Sequence, residues 1–211
     1  VSMKHLFQFS AFMAIVVLLS SCTNDSPVTT KALEYGDNLK TAIDDFEESR
    51  QDFKEEVSES VSNTTSEMGK KNPDLPKVAE DWESQWNAIM KRYDQLEEDF
   101  SLVGKSSEDY FSKLQELSSS ISNESIRNSE LRKNKELKDK WTQNYVDASQ
   151  KIGKIRGIIK EGKDFHLVLV ASSIRQKIEE DIYELQRISV RAEELLKELE
   201  QFTIEGKKLV S

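Results

Sequence analysis

Few side chains in this sequence can do covalent or acid–base chemistry. The 211-residue chain holds one thiol, Cys22, and two imidazoles, His5 and His166. That count excludes a disulfide framework and a zinc site built from clustered Cys and His. No glycine-rich phosphate loop and no G-x-S-x-G elbow is present. Carboxylates are abundant, as in Asp44-Asp45, Glu97-Glu98-Asp99, Glu179-Glu180-Asp181 and Glu193-Glu194. A carboxylate-bridged di-iron centre would need Glu-x-x-His on two helices plus two further Glu. Position 163, three before His166, is Lys, so that pattern is missing. Neighbouring acids on a helix diverge by about 100° and mostly face water. The expectation is a non-enzyme with no catalytic residues, no metal and no cofactor. His166 is expected to cap or flank a turn; its functional alternative is a pH sensor or partner contact.

The position of Cys22 is informative. Lys4 precedes an apolar stretch from Leu6 to Leu19, broken only by Gln8 and Ser10. Small residues follow, in Leu19-Ser20-Ser21-Cys22. A basic start, a short apolar core and small residues before a cut site describe an export signal. The apolar stretch has about 14 residues, against the roughly 20 that span a bilayer as a helix. Leu19-Ser20-Ser21-Cys22 resembles the lipobox of bacterial lipoproteins. The resemblance implies that the Cys22 thiol takes a diacylglyceryl group and that the new N-terminal amine is then acylated. Two or three acyl chains anchor stably where one would be marginal. Residues 1–21 are thus expected to be the signal, 22–29 a lipidated tether, and 30–211 the folded domain. Thr23 stands where an Asp would imply retention in the inner membrane, so the resemblance implies the outer membrane, facing the periplasm.

Removing residues 1–21, whose only charge is Lys4, leaves 29 basic and 39 acidic side chains, a net −10. This argues against nucleic-acid binding, which needs a basic face. It also argues against a broad electrostatic grip on anionic lipid, so membrane attachment is expected to come from the acyl chains.

The elements that carry these residues are helices. No proline follows Pro76, and only seven glycines occur in the chain. A β protein of this size needs more turn punctuation. The first block, about 30–62, has a seam at Leu39, Ile43, Phe46, Phe53, Val57 and Val61, with Arg50 in a seam position. Residues 63–75 read as a loop. The second block, 76–121, has Trp82, Trp86, Ile89, Tyr93, Leu96, Phe100 and Val103, then Tyr110, Leu114, Leu117 and Ile121. Spacings of 4 and 3 are a heptad seam, interrupted at Ser107. Pro76 suits a first helical turn, and Gly104 allows a bend. Ser118 to Asn123 mark the next turn.

The third block, 125–160, has Leu137, Trp141, Tyr145, Ala148, Ile152, Ile155 and Ile159 on its seam. Gly153 and Gly157 are four apart and suggest close helix packing within the bundle. The fourth block, 173–206, has Ile178, Ile182, Leu185, Ala192, Leu196, Leu199 and Thr203, widened by Ile174, Ile188, Leu195 and Phe202. Ser173 and Gln176 fit a capping box. Carrying the third seam forward by sevens misses the fourth by two residues. A turn between Gly162 and Ser173 explains this, with the apolar run 165–171 buried in it. One very long helix is the competing reading, and exposure of the run as a partner or membrane contact the other. Trp82, Trp86 and Trp141 are expected in the core between the second and third helices, with a ligand groove as the alternative.

The fold expected is all-α: an elongated antiparallel bundle of four long helices with coiled-coil-like packing, or three helices with a protruding hairpin. The chain resembles a family of uncharacterised bacterial lipoproteins built from long helices. The likeness rests on Cys22, on Phe46 and Phe53 in the first helix and on the acidic stretch from Tyr93 to Leu117. Ser125-Ile126-Arg127 and the His166 segment before a Glu- and Leu-rich last helix complete it. It implies an envelope protein and supplies no activity. The expected role is structural or protein-binding, with a protein partner or self-association. The alternative is a carrier of an apolar ligand or a membrane-active bundle.

Overall fold

A computed structural model describes residues 27–175 and 179–210. Four helices account for nearly all of them: α1 Pro27–Met68, α2 Leu75–Ser119, α3 Glu124–Arg175 and α4 Glu179–Leu209. No strand occurs among the described residues. Two compact units divide the chain between Glu34 and Tyr35; of the first, residues 27–34 are described, and they are helical. The second unit is a four-helix bundle.

Pairings across the bundle are antiparallel throughout. Trp82 and Asn134 hydrogen-bond to Gly162 and Leu114, and Tyr93 Oη lies 3.2 Å from Ile152 O, so α2 and α3 run in opposite directions. Phe46 touches Phe100 and Phe53 touches Tyr93, which does the same for α1 and α2. Arg50 reaches Leu196 O, and Thr203 reaches Glu47, between α1 and α4. Glu161 pairs with Arg191, and Lys151 with Glu198, between α3 and α4. Each helix therefore packs on two neighbours in an up-down-up-down order.

Caps explain where α2 and α3 begin. The Asp74 carboxylate accepts from Lys77 N at 3.2 Å, and Pro76 occupies the first turn, where its missing N–H costs nothing. Asn123 Oδ1 accepts from Ile126 N at 3.1 Å and starts α3 in the same way.

The heptad seams form the core. Leu39, Ile43, Phe46, Phe53, Val57 and Val61 of α1 are buried, as are Trp82 to Val103 of the α2 seam. Each Phe or Leu removed from water contributes roughly 1.5–3 kcal/mol. Rings of Phe46, Phe100 and Phe202 meet with centroids 5.4–5.8 Å apart, one from each of α1, α2 and α4. Tyr145 of α3 stacks on Phe100 at 4.5 Å. At Gly104 a side chain would overlap the Tyr145 hydroxyl, so the glycine admits a close approach of α3. Past Ser107, Phe111 is buried while Tyr110 stays half-buried, one place off the expected seam.

Several expectations are corrected. Residues 163–172 are not a turn; they lie inside α3. The seam continues through Ala148, Ile155, Gly162 and Leu169, all buried at sevens. Gly162 is in phase, and its missing side chain is the space filled by Trp86. Ser173 is not an N-cap: its hydroxyl donates to Val170 O within α3. Gln176 and Ile178, the other parts of that expectation, lie outside the described residues. Ile174 does not widen a core seam and is 80 % exposed. The first loop is shorter than expected, because α1 continues to Met68 with Thr64 and Met68 buried. Gly153 and Gly157 face open space, with nothing near the position of an added Cβ, so they make no close packing inside the bundle.

Candidate functional site

Cys22, the residue given a function from sequence, lies outside the described residues. The remaining candidates sit in the bundle.

His166 is in the interior of α3, not at a turn. Its Nδ1 lies 3.1 Å from Ala79 O of α2. A carbonyl only accepts, so Nδ1 carries the proton in that bond. Nε2 stands 4.0 Å from a Glu83 carboxylate oxygen. The ring thus ties α3 to α2, half-buried.

The acidic runs separate by face. Asp44, Asp45, Glu98, Glu193 and Glu194 are exposed. Asp99 and Asp181 are not: Asp99 takes bonds from Ser49 and Gln95, and Asp181 from Ser172. Among the described residues no group of three or more His, Cys, Asp or Glu could hold a metal ion.

The tryptophans are core residues. Trp82 and Trp86 stack at 4.7 Å, and their indole N–H groups donate to Gly162 O and Ile159 O, both at 2.9 Å. Phe165 closes one side of Trp82, edge on, at 5.3 Å. Trp141 is buried among Phe111, Phe202 and Gly206.

Two grooves remain. One, of about 680 Å³, lies between α2 and α3 and includes Met90, Tyr93, Glu97, Arg156 and Ile159. Tyr93 Oη donates to Glu97 at 2.6 Å, and Arg156 pairs with the same carboxylate. Burial, with help from the Glu97 bond, pushes the Tyr93 phenol well above its usual range. A phenol so raised stays neutral near neutral pH. The trio is a cross-link between helices. The second groove, about 770 Å³, follows α1 from Arg50 to Ser62. At its end Arg50, only 4 % exposed, bonds both Glu47 oxygens and Leu196 O. Burial pushes the Glu47 carboxyl up, but hydrogen bonds from Arg50, Gln51 and Thr203 outweigh it and hold the group below its ordinary value.

The apolar run 165–171 divides between core and solvent. Phe165 and Leu169 are buried, while Leu167 is 66 % exposed and Val170 is also exposed. No helix among the described residues is long and apolar enough to cross a membrane. Comparison of the chain with protein-family models, with curated proteins and with solved structures gives no match.

Proposed function

We propose that the protein is a bacterial envelope lipoprotein whose helical bundle works through its surfaces, held to a membrane by acyl chains on Cys22. The observation that carries this reading is the lone thiol directly after Leu19-Ser20-Ser21, behind Lys4 and the apolar stretch. The outer membrane, with the bundle in the periplasm, suits Thr23 after the lipidated residue. The bundle supports a surface role, since the Trp82–Trp86 seam is filled by Phe165 and the backbone of Gly162. That filling disfavours an apolar-ligand carrier that uses the tryptophans. Recognition then falls to the outer faces, through a protein partner or a second copy.

The test is mass analysis and fractionation of the chain from a bacterial host. The wild type should carry a diacylglyceryl mass on Cys22 and sediment with membranes. Cys22→Ser should lose the mass and leave the membrane, or keep its signal uncut. A wild-type chain with a free Cys22 thiol refutes the proposal.

A further inference from the structure

The solvent face of α3 holds a second regular row. Positions 146, 149, 153, 156, 160, 164, 167, 171 and 174 are separated by 3, 4, 3, 4, 4, 3, 4 and 3 residues. At 100° per residue they stay within about 40° of Lys160 on either side, along about 42 Å of helix. All are exposed except the half-buried Ala171. The order of spacings reads the same in both directions, with Lys160 at its centre.

Such spacing is symmetric about the chosen centre on any α-helix, so the face can lie against itself about a two-fold axis, one copy antiparallel to the other. The residue types then become complementary. Leu167 of one copy falls on Gly153 of the other. Ile174 falls on Val146, and Ala171 on Ser149. Asp164 falls on Arg156, giving two oppositely charged pairs by symmetry. Arg156 already binds Glu97, and a guanidinium with five N–H donors can serve both carboxylates. Only Lys160 meets its own kind, at the axis. Its long stem can lie along the row while the ammonium reaches solvent.

The glycines support the same conclusion. Gly153 and Gly157 weaken a helix interior and have no neighbour within the chain to require them. Leu167 and Ile174 are large apolar side chains left in water on the same row. A helix that approaches closely at Gly153 and covers Leu167 accounts for both features.

We infer that the outer face of α3 is a self-association surface, on which a second copy of this chain pairs antiparallel about Lys160. The inference deepens the surface-acting reading and is independent of lipidation at Cys22.

Cysteine cross-linking of the full chain in a Cys22→Ser background tests it, each variant first checked for native helicity. Under mild oxidation Lys160→Cys should cross-link to itself. Gly153→Cys and Leu167→Cys should each fail alone and cross-link when mixed, since only facing Cα atoms come within disulfide reach. Leu167→Asp with Ile174→Asp should weaken association more than about tenfold in sedimentation velocity. Lys160→Leu should strengthen it. Self-cross-linking of Gly153→Cys, which means parallel pairing, overturns the inference. So does a monomer at every concentration, or flotation with lipid vesicles through Leu167 and Ile174 without cross-links between chains. A free thiol on wild-type Cys22 would sink the anchoring proposal and leave the cross-linking result intact.

Discussion

The indole of Trp86 occupies the space that a side chain on Gly162 would need, and it binds the carbonyl of Ile159 three residues earlier on the same helix. α2 and α3 thus approach closely at a residue that looks, in sequence, like a helix breaker.

Gly162→Ala should therefore destabilise the bundle by about 3 kcal/mol, because the ring is buried and has nowhere to move. Gly157→Ala has open space around it and should stabilise by about 1 kcal/mol through helix propensity alone. Urea melts followed by circular dichroism compare the two. Equal effects would sink this account of Gly162.

The tryptophans should differ from one another. Trp86→Phe removes a 2.9 Å hydrogen bond, whereas no protein acceptor lies within reach of the buried Trp141 Nε1. Trp86→Phe should cost about 1 kcal/mol more than Trp141→Phe. The same melts decide it.

Acid should loosen the α1–α4 contact. The folded Glu47 carboxyl lies below its ordinary value, so its contribution is complete above the unfolded pKa. It is lost as pH falls through the folded value. Glu47→Gln should flatten the fall in stability below about pH 4.5. Arg50→Ala at neutral pH should cost about 3 kcal/mol, since it leaves Glu47 without its main partner.

Alkali acts with the opposite sign. Burial raises the phenols of Tyr93, Tyr110 and Tyr145. Their contribution is complete below the unfolded pKa of about 10 and is lost as pH rises toward the folded values. Absorbance at 295 nm should show a late cooperative step that coincides with loss of helicity. In Tyr93→Phe that step should be smaller.

Much of the fold was legible because a heptad seam records burial directly. Leu39 to Val61 and Trp82 to Val103 were read correctly, including the polar exception at Arg50. The errors cluster at small residues, where one letter has several physical meanings. Gly162 is a notch for an indole, Gly104 a notch for a phenol, and Gly153 faces solvent. No periodicity separates these cases, because the difference lies in the partner helix. Ser and Thr misled in the same way: Thr64 and Ser172 are buried positions near helix ends, and Ser173 bonds back to its own helix. The buried Asp99 was missed because its partner Ser49 lies fifty residues away.

The pairing order also bears on how the chain folds. α2 with α3, and α3 with α4, join helices adjacent in sequence, so their loops close early and at small entropic cost. The contact between Arg50 and the Leu196 carbonyl spans 146 residues. α1 is thus synthesised before the other helices, and its α4-facing side waits longest for cover. During that wait its apolar row at Ile43, Phe46 and Val57 is open to other chains. The charged residues between those positions, Asp44, Asp45 and Glu55, then act as solubilising guards for a helix whose last neighbour has yet to arrive.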